Sequence, residues 1–309
     1  MENNDDFVVD EYLKRLEINL PDKVDKEYLD SLHIAHCTHI PFETFDLIDL
    51  KELNISPKYI FNRLIQQKRG GLNGSFEKLL KNLKYNVQMI PCCVFNITTH
   101  AFGNCDDHLA LLVTFDDGTK YMCDAGFSRN FLTPLIFETD CIQFATTGFF
   151  RLTKTDNEIY YQLERGYLID ANDGNDKIVL PSMSKPETCI VDIDPNRIKW
   201  TISYRFPINF AEKTTKLEDF QDATDHVIHS PDCILNQLSL CRIEAFKPPF
   251  IGAYGIVGKE FVEYSVKNGI ESKNHFPIST DENNDDELKK ILKEKFNLQI
   301  DRKLVLRDH

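Results

Sequence analysis

The chain has 309 residues, of which 42% are hydrophobic, and its formal net charge at pH 7 is −13. A chain of this length buries a large core, and the length predicts two or three domains. The negative charge argues against nucleic acid or an anionic membrane surface as the main partner. It does not exclude a polyphosphate ligand, for which a helix N-terminus and a few local cations suffice.

Further features of composition predict a cytoplasmic protein without a membrane span. No apolar run approaches the ~20 residues that a transmembrane helix needs. Residues 1–6 are acidic, where a targeting signal is basic. The nine cysteines are scattered, odd in number and without metal-ligand spacing, which is typical of reduced thiols in the cytosol.

The first region, residues 1–85, is predicted to be helical. Apolar residues at helical spacing predict one helix through Leu16, a second that ends near Pro41, and a third over residues 58–67. Asn73 lies at the start of a fourth.

Three histidines recur at every third position of the second predicted helix, namely His33, His36 and His39. Residues at i and i+3 share a helix face, and this spacing resembles a metal site. We nevertheless expect these side chains to have a surface or packing role, and we expect no bound metal.

A glycine-rich turn leads from Arg69 into the fourth predicted helix. Residues 69–77 read RGGLNGSFE, and apolar residues then follow Phe76 at i+3, i+4 and i+7. The unpaired N–H groups and the positive end of the helix dipole would surround position 73. A cysteine there would have a stabilised thiolate. The residue present is Asn73, which is also a favourable helix N-cap.

The second region, residues 86–200, alternates apolar runs with turn residues and is predicted to form a β-barrel or rolled sheet. The predicted strands are residues 86–90, 92–95, 108–115, 120–123, 144–152 and 160–163.

The strands on either side of residues 116–118 form a predicted hairpin whose ends we expect to meet. His108 and Asp124 are sixteen positions apart (124 − 108), so they share one face only if the loop has an odd length. A three-residue loop ending in a left-handed Gly118 satisfies this condition and pairs Asp124 with Ala110. Asp124 then lies diagonally from His108, within reach of a carboxylate–imidazole hydrogen bond. Such a pair is the base half of a nucleophilic triad, and it is also common at strand ends.

The third region, residues 201–309, mixes strands and helices. Residues 200–206 are predicted to form a strand, and residues 217–220 begin a helix that runs towards Ser230. An acidic run at residues 281–286 precedes a helix with an apolar stripe, as is typical of a solvated helix N-terminus.

Short motifs follow one another along nearly the whole chain. They are residues 12–16 (YLKRL), 32–43 (LHIAHCTHIPFE), 69–71 (RGG), 108–113 (HLALLV), 124–127 (DAGF), 150–152 (FRL), 296–298 (FNL) and 302–305 (RKLV). In this order and spacing they resemble the arylamine N-acetyltransferase family. The resemblance implies an α+β fold with a cysteine-protease-like core. Its N-terminal helical bundle, central β-barrel and C-terminal α/β lid would be residues 1–85, 86–200 and 201–309.

In that family a Cys–His–Asp triad carries an acetyl group from acetyl-CoA to an aromatic amine or hydrazine by ping-pong transfer. The resemblance places the His at His108 and the Asp at Asp124, whereas the Cys position falls on Asn73. It also places Ser230 near the coenzyme A pocket, where a hydroxyl would meet a phosphate, although a Ser-Pro pair is also a common turn. Acetyl-CoA is therefore expected as a co-substrate, and no cofactor or metal as a permanently bound group.

The residue at position 73 changes the function that the resemblance implies. The lone pair of a carboxamide nitrogen is delocalised, so Asn73 cannot carry the acyl group that a thiolate carries. Removing the nucleophile of a serine protease costs ~2 × 10⁶ in turnover, which is ~8.5 kcal/mol of barrier. We therefore expect a weakly active or inactive member of the family. Gly74, Ser75 and Glu77 also differ from the residues that the family favours.

Two other functions stay open on the sequence. One is direct attack of the amine on bound acetyl-CoA, with His108 as general base. The other is a non-enzymatic role in binding coenzyme A or arylamines, or in regulation through an active relative. Cys105, three residues before His108, is a candidate to replace the missing nucleophile. A thiol there would lack the positive field of a helix N-terminus and a shaped oxyanion pocket.

Overall fold

The structure is a computed structural model that describes residues 7–47, 54–70, 74–103, 106–127, 131–169, 180–230, 233–248, 250–279 and 285–308. Within these ranges the helices are α1 (Val9–Arg15), α2 (Lys26–His39), α3 (Pro57–Phe61), α4 (Gly74–Asn82), α5 (Gln221–His229), α6 (Ile234–Gln237) and α7 (Asp286–Phe296). A π-helical turn, Asn62–Gln66, continues α3, and a 3-10 turn, Leu217–Phe220, leads into α5.

The strands of the same ranges belong to two sheets. They are β1 (Phe42–Glu43), β2 (Asn86–Asn96), β3 (Ala101–Phe102), β4 (His108–Thr114), β5 (Lys120–Cys123), β6 (Leu135–Ile136), β7 (Ile142–Ala145), β8 (Gly148–Lys154), β9 (Tyr160–Leu168), β10 (Thr188–Val191), β11 (Ile198–Pro207), β12 (Leu240–Lys247), β13 (Phe250–Val257), β14 (Glu260–Lys267) and β15 (Ile270–Pro277).

Helix α2 begins and ends where its sequence dictates. The side chain of Asp25 accepts a hydrogen bond from the backbone N–H of Tyr28 at 3.0 Å and so caps the first turn. At the other end Ile40 is extended, with φ −117° and ψ 105°, because a residue that precedes a proline disfavours the helical region. The predicted end near Pro41 is confirmed. These two ends fix the position of α2 and therefore of its buried residues His33 and His36.

The larger sheet has the strand order β10-β7-β8-β9-β11-β2-β4-β5-β6, and β3 pairs with β2. Its ladders are antiparallel, and the sheet is barrel-like, with aromatic side chains such as Phe150, Tyr204 and Phe206 buried in its interior. The rolled sheet expected from the sequence is confirmed. The curvature of this sheet brings Tyr204 of β11 to Asp124, the residue directly after β5, beside His108 at the start of β4.

Two predicted strands of this sheet differ from the observed ones. Residues 86–90 and 92–95 form one continuous strand, β2, rather than two. Residues 144–152 were expected as one strand, and this is wrong, because β7 and β8 pair as a hairpin. Gly148 has a φ of +135°, which a residue with a side chain rarely adopts, and this backbone conformation permits the tight turn.

The smaller sheet has the order β1-β12-β13-β14-β15. Helix α7 packs against it through Leu288, Leu292 and Phe296, which are fully buried. Two features cross the predicted domain limits. Strand β11 runs unbroken through position 200, and β1 lies in the chain's first region yet pairs with β12. The division at residues 85 and 200 stays a prediction.

The N-terminal helices pack on the face of the larger sheet opposite its interior. Leu32 of α2 and Phe76 of α4 share a core cluster with Leu111, Val113 and other residues of the central hairpin. Burial of these apolar side chains holds the start of α4 near the ends of β4 and β5. Within the described ranges, no helix has the length and apolar character needed to cross a bilayer.

Candidate active site

The central hairpin has the predicted register. Leu111 lies opposite Cys123 and Thr114 opposite Lys120, which places Asp124 across from Ala110. Gly118 closes the three-residue loop with a φ of +85°. As a result, Nε2 of His108 lies 2.9 Å from Oδ2 of Asp124, and the predicted hydrogen bond is confirmed.

Asp124 is completely buried, and donors from three directions surround it. Its Oδ2 also accepts a hydrogen bond from the hydroxyl of Tyr204 at 2.8 Å, and its Oδ1 accepts one from the backbone N–H of Gly126 at 3.4 Å. Burial, together with the charge of Asp124, raises the pKa of Tyr204 well above its usual range, so its hydroxyl stays protonated and donates. A buried carboxylate needs such partners because desolvation of an unpaired charge is costly. Asp124 is therefore fixed as an acceptor for His108.

Two aromatic rings flank the imidazole of His108. The ring of Phe127 is centred 4.9 Å away, and that of Tyr204 is 5.0 Å away. Only 12% of the His108 side chain is exposed. Because Nε2 bonds to Asp124, Nδ1 is the ring nitrogen that is left for a ligand or reactant.

His108 opens onto a cavity of about 180 Å³. For scale, an engineered cavity of ~150 Å³ holds one benzene molecule. Gly74, the first described residue of α4, lines the same cavity, so the start of that helix and the imidazole border one space. Its apolar wall comes from α3, α5, α6 and the turns beside them, with Ile55, Ile60, Leu217, Phe220, Ala223, Val227 and Leu235.

Two carboxylates next to His108 line the cavity as well, Asp106 and Asp107. The Oδ1 atom of Asp107 accepts a hydrogen bond from the backbone N–H of Val94 at 2.8 Å. Burial nevertheless raises the pKa of Asp107 to about 6, because desolvation disfavours the charged carboxylate. Asp107 thus changes charge near neutral pH at the edge of the cavity.

A buried ionic cluster fixes the turn that leads to the start of α4. Glu43 accepts hydrogen bonds from Nε and Nη2 of Arg69 at 3.1 and 3.0 Å and from Nη2 of Arg63 at 2.5 Å. Nε of Arg63 also donates to the carbonyl oxygen of Gly70 at 3.0 Å. At Gly70 an added Cβ would lie 2.3 Å from the carbonyl oxygen of Pro41, so only glycine fits there.

The other residues predicted for the site have different outcomes. Asn73 and Cys105 lie outside the described residues. Ser230 caps the end of α5, where its backbone N–H donates to the carbonyl of His226 at 2.9 Å, and it is not among the described residues that line the cavity. Its predicted contact with coenzyme A stays a prediction.

The three helical histidines do not form a metal site with each other. His33 and His36 are buried in the core, and the described part of the chain holds no group of three or more His, Cys, Asp or Glu residues suited to a metal ion. The packing role expected for these two residues is confirmed. His39 is partly exposed and bonds to the backbone carbonyl of Ala35 at 2.9 Å.

Sequence reasoning missed two residues that contact Asp124. Tyr204 and His33 lie 80 and 91 positions away from it in the chain. No local spacing brings them to Asp124, and only the fold does so.

Comparison with known proteins decides the family. The family model described as N-acetyltransferase matches residues 25–305, which is most of the chain. The chain belongs to the N-acetyltransferase family. The resemblance drawn from its motifs is confirmed.

The relatives and solved structures that resemble this chain are named as arylamine N-acetyltransferases. The arylamine N-acetyltransferase of Gallus gallus known as pineal gland isozyme NAT-10 is 24% identical over 291 residues, which is 91% of this chain and 90% of the relative. Among solved structures, the arylamine N-acetyltransferase of Salmonella typhimurium aligns with a TM-score of 0.71 at 19% identity, over 94% of this chain and 90% of the other. That of Mycobacterium marinum in complex with CoA aligns with a TM-score of 0.70 at 19% identity, over 94% and 93%. These structures confirm the N-acetyltransferase fold of the chain.

Proposed function

We propose that this chain is an N-acetyltransferase family protein whose acetyl-accepting position is occupied by Asn73, and that it transfers acetyl groups weakly or not at all. The observation that carries the proposal is the position of Gly74 in the cavity wall. This residue follows Asn73 directly and lines the same cavity as His108, whose partner Asp124 is in place. In this proposal the site keeps a base and its orienting carboxylate, while the position that carries the nucleophile in the family is a residue with no nucleophilic atom.

The ligands of this site, in our proposal, are those of the family: acetyl-CoA as co-substrate and an arylamine or hydrazine as acceptor. The ring-sized cavity beside His108 supports the aromatic ligand. The M. marinum relative in complex with CoA supports coenzyme A. A cytoplasmic location fits the eight cysteines of the described ranges, which are all free thiols.

Mass spectrometry of the intact protein tests the absence of an acyl-enzyme. After incubation with labelled acetyl-CoA, we expect no stable adduct of one acetyl group. A near-stoichiometric adduct would overturn the proposal. In parallel, thermal-shift titrations with CoA and acetyl-CoA measure whether the pocket still binds, and saturation at ~100 times Kd corresponds to ~2.7 kcal/mol of stabilisation.

Direct transfer is the second candidate, and the hydrogen bond between His108 and Asp124 is the observation that favours it. An imidazole that is oriented by a buried carboxylate can deprotonate an amine as it attacks the carbonyl carbon of bound acetyl-CoA. The amide C–N bond then forms as the thioester C–S bond breaks, and the imidazolium returns the proton to the departing CoA thiolate. This reaction predicts sequential kinetics and a large loss of rate in His108→Ala. If His108→Ala leaves the rate of transfer unchanged, direct transfer is excluded.

A regulatory role would require that the chain associate with an active relative. Size-exclusion co-elution with that relative tests this role. Separate elution beside each relative tried would argue against it.

A further inference from the structure

His33 is a buried histidine that the proposed chemistry does not use. It lies on α2, its side chain is fully buried, and no acidic side chain bonds to it in the described residues. Its ring stacks on Phe131 at 5.5 Å with an interplanar angle of 11°, and it meets the edge of Phe76 at 5.8 Å. These contacts hold the imidazole in one orientation.

Both nitrogens of this ring bond to the backbone of one segment. The N–H of Asp124 donates to Nε2 at 3.0 Å, and the carbonyl oxygen of Leu132 lies 3.0 Å from Nδ1. Because the N–H of Asp124 can only donate, Nε2 must be unprotonated and Nδ1 must carry the proton that is donated to Leu132. Sγ of Cys37 is a weaker neighbour of Nδ1, at 3.7 Å. His33 therefore bonds to the backbone at two described positions of this segment, Asp124 and Leu132.

The start of that segment supplies the partners of His108. Asp124 provides the carboxylate, Gly126 supports its Oδ1 atom, and Phe127 packs against the imidazole of His108. Strand β5 ends at Cys123, so the backbone at Asp124 lies beyond the ladder with β4. The bond to His33 anchors this backbone from a different element, α2.

We propose that His33 is a positioning residue for the His108–Asp124 pair, acting by fixing the backbone of the segment that carries Asp124 and Phe127. This inference rests on the proposed function, since it assigns His33 to that site. His33 touches neither the cavity nor His108 among the described contacts, and its effect passes through Asp124. A displacement of ~1 Å at a reacting group can cost ~10²-fold in rate, which sets the size of the expected effect.

The required tautomer agrees with the surroundings of the ring. Burial lowers the pKa of His33 to about 4, so the ring is neutral at neutral pH. A neutral ring can accept a hydrogen bond at one nitrogen and donate at the other, whereas a protonated ring only donates.

Nitrogen NMR of the wild-type protein, labelled at histidine, provides the first test. We expect the His33 ring to show a protonated Nδ1 and an unprotonated Nε2, and we expect the amide of Asp124 to exchange slowly with solvent. A protonated Nε2 at neutral pH would overturn the proposal. This measurement needs no variant and does not depend on activity.

The second test compares His33→Leu with His36→Leu, a matched control. His36 is on the same helix and 2% exposed, and its Nδ1 lies 3.0 Å from the hydroxyl of Tyr12 rather than near Asp124. The readout is solvent exchange of the His108 ring proton that is shared with Asp124, assigned by its loss in Asp124→Ala. We expect exchange to accelerate at least ~10-fold in His33→Leu and to stay near wild type in His36→Leu. Equal exchange in the two variants would overturn the proposal.

Activity is measured in the Asn73→Cys background. There His33→Leu is expected to lower the rate of acetylation by ~100-fold relative to His36→Leu, and His33→Gln, which keeps an acceptor for the Asp124 amide, to restore part of it. Equal rates in the two Leu variants would contradict the proposal. If Asn73→Cys itself gains no acetylation, the proposed function fails, while the two NMR measurements still decide the role of His33.

Discussion

Removing the hydroxyl of Tyr204 should destabilise the protein by an amount that the structure sets. Tyr204 and Asp124 are both fully buried, and the hydroxyl donates to Oδ2 at 2.8 Å. A hydrogen bond to a charged group contributes ~1.5–3 kcal/mol, and its removal leaves the carboxylate without one of its donors. Tyr204→Phe keeps the ring and its packing. We therefore expect the free energy of unfolding to fall by ~1.5–3 kcal/mol, which at ~2 °C per kcal/mol for a long chain lowers Tm by ~3–6 °C.

Thermal and chemical denaturation of Tyr204→Phe and Tyr161→Phe measures this effect. Tyr161 packs at the edge of the same aromatic cluster, and its hydroxyl makes no hydrogen bond within the described residues. The control should lie within ~0.5 kcal/mol of wild type. In an Asp124→Asn background the cost of Tyr204→Phe should shrink, because the acceptor is no longer charged. If the two Tyr→Phe variants unfold alike, the hydrogen bond does not stabilise Asp124 as described.

Two further substitutions test the surroundings of the cavity. Glu43→Gln removes the buried charge that holds Arg63 and Arg69, and should cost ~3–5 kcal/mol in denaturant unfolding. The exposed Glu17→Gln should cost less than ~0.5 kcal/mol, and an equal cost in both would contradict the cluster's role. Asp107 has a folded pKa of about 6 against an ordinary 3.8, so its contribution to stability is greatest below pH ~4 and is lost as the pH rises through 6. Asp107→Asn should therefore gain up to ~3 kcal/mol relative to wild type above pH 6 and nothing below pH 4. A gain that does not vary with pH would refute the burial of that carboxylate.

The hairpin shows how much of the site the sequence determines. The spacing between His108 and Asp124, the turn residues and the alternation of side chains suffice to predict the loop length and the pairing of Asp124 with Ala110. These are local constraints, because side chains alternate between the two faces of a strand and a short loop permits only one register between the two strands. The same reasoning fails at residues 144–152, where an apolar run of strand-forming residues conceals the tight turn before Gly148.

Contacts that depend on the fold are not predictable in this way. Tyr204 and His33 reach Asp124 from β11 and α2, and Glu43 meets Arg69 across 26 positions. Burial decides these partners, since the carboxylate of Asp124 needs a donor such as Tyr204, and its backbone N–H needs an acceptor such as His33, in place of water. For His33, a histidine pattern on a helix indicates either a metal site or a packed core, and only the surrounding rings and backbone groups distinguish the two.

Intact-mass analysis of wild type and of Asn73→Cys, each after exposure to acetyl-CoA, tests the central claim most directly. We expect no stable adduct on wild type and a single acetyl group on Asn73→Cys, which transfers to an arylamine on addition. An acetyl adduct at near-full occupancy on wild type, or a folded Asn73→Cys that gains no acetyl group, would contradict the account.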